Sequence, residues 1–269
     1  MPGGIILAAH GSKHPGAMAA LDIFRDAMAV AYPGVCVELA RTVGRKHGNA
    51  ADFGGARRVR DVLAGQVAAG IDRVVVQSLH VVPGEEYHEM LSGVRGFLES
   101  GSPALSISVG APLLADLLDV ERVTAAVLEI LPGDRTPAEG VVLMGHGAPP
   151  PGAGFYQVLR ERLARRDGLV HFGTMPRTRD EPCHDVFRIR DALVAARVDT
   201  AWLVPFFSVA GAHACSDLAG DKETSWRGVL TSAGIRCRPL LFGLVEREAF
   251  AAVWRDHLEK AVSRLPPLR

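Results

Sequence analysis

The chain repeats one pattern: a short run rich in Val, Ile and Leu, then a longer amphipathic stretch, four times in each half. Short, almost wholly apolar runs fit parallel strands covered by helices on both faces; a sheet with one wet face would alternate apolar and polar residues. In the first half the runs are GIILAA (4–9), VCVEL (35–39), RVVVQSL (73–79) and LSISV (105–109). In the second they are VVLM (141–144), LVHFGT (169–174), AWLVP (201–205) and RCRPL (236–240). Equivalent runs stay roughly 130 residues apart from end to end, the mark of an internal duplication. The expected fold is therefore α/β, two parallel-sheet lobes with a cleft between them. The Pro/Gly/charge-rich segment LPGDRTPAEG (131–140) suggests a linker, giving lobes 1–133 and 134–269. Ligands of open parallel sheets sit at the carboxyl ends of the strands, so the loops there hold the candidate chemistry.

Composition narrows the function class. Thirty basic residues balance thirty acidic ones, which removes the electrostatic footprint of a nucleic-acid binder. No run approaches the roughly 20 apolar residues of a membrane span, and the opening MPGGIILAAHGSKHPG lacks the basic start of an export signal, so a cytoplasmic protein is expected. The four cysteines form no C-x-x-C pair and read as free thiols. Dinucleotide, Walker A and G-x-S-x-G signatures are absent, which disfavours nucleotide-driven and serine-nucleophile chemistry.

The first strand of each half runs into a histidine and a glycine: His10-Gly11-Ser12, then His146-Gly147-Ala148. The glycine lets the backbone turn sharply or approach a ligand. The third strands end in the loops of VVVQSLHVVPGEEYHEML and WLVPFFSVAGAHACSDL, and aligning Gly84 with Gly211 sets Glu86 opposite His213. Imidazoles with a carboxylate make a mixed N/O set that suits cobalt, iron, nickel or zinc. A plainer account stands beside it: Glu86 or Glu85 stabilising the positive end of a helix, and histidines held by ordinary packing. His80 either lines the pocket or fills it, and His88 falls on another side of the helix. Arg41, Arg45 and Lys46 form a basic loop that meets substrate carboxylates or only solvent. Trp202, Phe206 and Phe207 are core, or a wall for a flat ring.

Three segments, QSLHVVPGEEYHEML (77–91), MGHGA (144–148) and VPFFSVAGAHACSDLAGDKETSWRGVLTSAGI (204–235), resemble the anaerobic cobalt chelatases of the vitamin B12 pathway, within the wider class of ATP-independent chelatases. The likeness spans nearly the whole chain. It implies two flavodoxin-like lobes and insertion of Co2+ into sirohydrochlorin or its reduced precursor, precorrin-2, without an organic cofactor. It further implies that His146 and His213 bind metal and take protons with Glu86 as companion carboxylate; beside them His10, Ser12, His80 and Glu85 are expected to line the substrate site. The reading asks the two imidazoles to converge from opposite lobes over one gap. Two positions depart from the pattern: Pro176 stands where relatives carry a glutamate, with Glu181 and His184 as candidate substitutes, and Ala212 stands where they tend to carry an acid. Fe2+, Ni2+ or Zn2+ as the inserted ion, a carrier that binds without turnover, and a scaffolding duplicate remain open beside cobalt insertion, and a homo-oligomer is compatible with all of them. An ordinary imidazole takes a proton near pH 6.5 and then neither ligates nor accepts, so insertion is expected to fall below about pH 6 in a pH–rate profile.

Overall fold

The computed structural model describes residues 1, 3–42, 57–100, 105–176 and 184–266. These form two compact units, Met1–Ala115 with Glu248–Arg269, and Asp116–Arg247.

In the first unit, β1 (Gly4–Ala9) is buried at every position, as its unbroken apolar run requires. It lies between β2 (Cys36–Arg41) and β3 (Arg73–Ser78), with β4 (Ser106–Gly110) outside β3, giving the parallel order β2-β1-β3-β4. Strand side chains alternate between faces. Ile6, Ala8, Val74 and Val76 therefore share one face, packed against Val62 and Leu63 of α2 (Val59–Ala68) and Met90 and Val94 of α3 (Glu85–Glu99). Two further helices complete the unit: α1 (Pro15–Ala31), packed against β2, and α8 (Glu248–Ser263), against β3 and β4.

The second unit repeats this topology. Its strands β5 (Gly140–His146), β6 (Val170–Met175), β7 (Thr200–Pro205) and β8 (Arg236–Pro239) run parallel in the order β6-β5-β7-β8. Around them lie α4 (Leu117–Glu129), α5 (Gly152–Arg166), α6 (His184–Ala195) and α7 (Trp226–Ser232), with a π-helical turn at His213–Leu218. All eight strands fall where the apolar runs predict them, within about two residues at each end, the usual uncertainty of an element boundary. Among the described residues no helix is long and apolar enough to cross a membrane.

The division of the chain differs from the expected cut between residues 133 and 134. Helix α4 precedes that cut yet packs on α5 of the second unit, tied by Arg166 to Glu121 at 2.8 Å. Helix α8 follows the second unit yet belongs to the first. Its buried face carries Phe250, Val253, Trp254, Leu258 and Ala261. The chain thus leaves the first unit at Ala115 and returns at Glu248.

Trp254 is fully buried and its indole N–H donates to the carbonyl of His80 at 3.3 Å. Replacing Trp254 by Ala removes both packing and that bond. The expected loss is about 3–5 kcal/mol of stability, checked by urea unfolding.

Candidate active site

An order of β2-β1-β3-β4 means that the chain steps to one side of β1, then returns to the other. The connections leaving β1 and β3 therefore part in opposite directions, opening a crevice at their carboxyl ends, the usual ligand position in such sheets. In the first unit His10 directly follows β1, and Glu86 lies in the first turn of α3 after β3. In the second, His146 ends β5 and His213 opens the π-helical turn after β7. Both pairs thus occupy the same topological switch point, one in each unit.

In the first unit, the pair is a hydrogen-bonded cluster. His10 Nδ1 lies 2.5 Å from Glu86 Oε1, and His80 Nε2 lies 3.5 Å from Oε2. The buried Thr42 hydroxyl sits 2.8 Å from His80 Nε2, 3.3 Å from Glu86 Oε2 and 3.2 Å from the Ala9 carbonyl. His80 is held from its other side by Ser78 Oγ, 2.9 Å from Nδ1. Burial favours the neutral forms of His10 and Glu86, but their mutual contact outweighs it. The hydrogen bond and charge of Glu86 raise the His10 pKa above its ordinary value. Hydrogen bonds from His10 and His80, with their charges, hold the Glu86 carboxyl far below the usual carboxylate range. His80 is thus part of the polar cluster rather than filler. Thr42, unnoticed in the sequence because an isolated threonine has no pattern, closes it.

In the second unit, the His146 and His213 rings meet edge to face, with centroids 4.7 Å apart and planes at 89°. Phe207 packs beside both, 4.7 Å from the His146 ring and 6.3 Å from that of His213. The phenyl ring is buried in the core while the imidazoles remain open to solvent. Nδ1 of His213 lies 2.6 Å from the Asp217 carboxylate one turn further on. In the sequence the only mark of Asp217 is its H-x-x-x-D spacing from His213, one helical turn. Both imidazoles belong to the second unit, which corrects the expectation that they come from opposite lobes. They converge because β5 and β7 are neighbours in a single sheet.

Of the expected ligands, the structure brings together His146 and His213, and sets Glu86 with His10 and His80 in the other unit. Among the described residues, no three His, Cys, Asp or Glu side chains are spaced as a metal-ligand set. Ser12 is buried and accepts from the His14 amide at 3.1 Å. Glu85 is exposed and takes no part in the Glu86 cluster. The two glycines differ: Gly11 turns through φ +81°, in the region glycine favours, whereas Gly147 does not.

The sequence profile described as cobalt chelatase (CbiK) matches residues 3–263. The chain belongs to this family. It is 38% identical over 268 residues to sirohydrochlorin cobaltochelatase CbiKC of Nitratidesulfovibrio vulgaris strain Hildenborough, covering 97% of this chain and 91% of that protein. It is 31% identical over 197 residues to sirohydrochlorin cobaltochelatase of Salmonella typhimurium strain LT2, covering 73% of this chain and 71% of that one. Among solved structures, SirB from Bacillus subtilis with Fe3+ shares the fold, with TM-score 0.63 at 16% identity and 98% of each chain covered.

Membership in the cobalt chelatase family sharpens the departures. Pro176 directly follows β6, and among the described residues a carboxylate that reaches this strand end is Asp185. That group is saturated: it accepts from the Thr174 amide at 2.8 Å and from Arg160 at 2.9 Å, with Arg188 at 3.4 Å. His184 opens α6 in an exposed position, while Glu181, Arg45 and Lys46 lie outside the described residues. Arg41 is buried at the end of β2. Trp202 is turned to other work, donating to Glu139 at 2.9 Å beneath the Arg238 guanidinium.

The His10–Glu86 contact makes stability depend on pH. His10 binds its proton more tightly when folded, so its contribution is complete below its ordinary 6.5 and fades as pH rises through the raised value. Glu86 contributes fully above its ordinary 4.5 and loses this as pH falls through the lowered value. Both contributions are complete between 4.5 and 6.5. With 43% and 30% of the two side chains exposed, the pair contributes up to about 1 kcal/mol. Glu86→Gln should therefore destabilise more at about pH 5.5 than at about pH 8, measured by urea unfolding at both.

Proposed function

We propose that this chain inserts Co2+ into sirohydrochlorin or precorrin-2, with His146 and His213 handling the ion and the displaced protons. The observation that carries the reading is the edge-to-face imidazole pair at the β5–β7 switch point, in a chain of the cobalt chelatase family. Insertion of a divalent ion releases two pyrrole N–H protons, so the site needs groups that bind a metal and accept protons near neutrality. A neutral imidazole does either, and its protonated form does neither. Two imidazoles therefore match the demands of the reaction without ATP. The cobalt preference rests on the family and on the named activity of the curated relatives, since imidazole and carboxylate also suit iron, nickel and zinc.

Glu86 is the companion carboxylate in this reading. It lies at the switch point of the first unit, where contact with His10 and His80 at its two oxygens balances its charge. Those histidines serve the substrate site through Glu86, while Ser12 and Glu85 contribute pocket surface.

Anaerobic assays with excess sirohydrochlorin and Co2+, followed by the absorbance change of the ring, test the proposal. The parent protein should turn over many times, whereas a carrier would stop at one equivalent. His146→Ala and His213→Ala should each lower kcat/KM by about 100-fold or more with an unchanged circular dichroism spectrum. Near-parental rates in both would sink the reading.

A further inference from the structure

We infer that Asp217 is the positioning residue of His213, fixing which imidazole nitrogen is presented for metal and proton chemistry. The inference rests on the proposed role of His213. A carboxylate only accepts hydrogen bonds, so the ring nitrogen 2.6 Å from Asp217 Oδ2 must be the one bearing hydrogen. In neutral imidazole the other nitrogen then carries the lone pair. Asp217 thus selects the Nδ1–H tautomer and leaves Nε2 as ligand or base. The same contact limits rotation of the ring beside His146. Carboxylate partners commonly do this for metal-binding histidines.

The duplication gives an internal control. With Gly84 aligned to Gly211, Glu86 corresponds to His213 and Met90 to Asp217. Met90 is buried in the core of the first unit. Asp217 instead keeps 49% of its side chain exposed, with its oxygen turned to the imidazole. A carboxylate occurs at this position only in the unit whose switch point carries an imidazole four residues earlier. Ala212 offers no acid beside His213, so Asp217 supplies the carboxylate contact that the ring makes. The π-helical form of the segment is a rare backbone geometry that recurs at functional sites.

The side-chain nitrogen shifts of the full, 15N-labelled protein report the tautomer directly, without metal or substrate, with His213→Gln identifying the resonances. The parent should show His213 as the Nδ1–H form near pH 8, and Asp217→Ala should move it toward Nε2–H. Asp217→Ala should weaken Co2+ binding to the protein alone, or lower kcat, by about 10- to 100-fold, and Asp217→Glu should restore much of the loss. The inference is overturned if the parent ring is Nε2–H, or if Asp217→Ala binds Co2+ and turns over within about twofold of the parent. It is also overturned if Asp217→Glu is as impaired as the alanine variant. If His213→Ala is active, the metal-site reading fails with it; if only Asp217→Ala is active, this inference alone fails.

Discussion

The site depends on one topological constraint: parallel strands β1 and β3, and likewise β5 and β7, are neighbours whose outgoing connections part in opposite directions. Parallel pairing forces each connection across a face of the sheet. Where the side changes, no connection closes the space above the two strand ends. Residues just beyond those ends are therefore held by a rigid sheet and kept open to ligands. His10 and Glu86 meet there in one unit, His146 and His213 in the other. The apolar runs that make the strands also determine where the polar chemistry collects.

The duplicated positions have diverged electrostatically. In the first unit an imidazole faces a carboxylate, and the pair settles into a charged contact braced by His80 and Thr42. In the second an imidazole faces an imidazole, with a carboxylate behind one ring. The first arrangement pairs a carboxylate with an imidazole; the second sets two imidazoles edge to face with a carboxylate behind one of them. One fold, copied once, supplies two environments by changing the residue after the third strand from Glu86 to His213.

Much of this could be read from residues alone. The inner strands β1, β3, β5 and β7 revealed themselves most clearly, because a strand buried on both faces has little freedom to carry polar side chains. The histidines after β1 and β5 stood out as polar residues at the end of such runs, and the alignment of Glu86 with His213 followed from the repeat. Thr42 is different, since a lone hydrogen-bond partner has no periodicity of its own, and Asp217 is marked only by its one-turn spacing from His213. The saturated Asp185 shows the converse, since its acidity is plain in the sequence while the arginines and backbone amide that occupy it are not.

By itself the sequence determined the strands, their duplication and the residue types at the switch points, all of which follow from local burial pattern and chain order. Tertiary structure alone decided that α4 joins the second unit and α8 the first, and that β5 and β7 lie side by side so that the His146 and His213 rings meet. An amphipathic helix records that it has an apolar face but not which sheet will cover it, because hydrophobic burial is non-directional. Which polar groups meet is likewise fixed only when distant strand ends have been brought side by side.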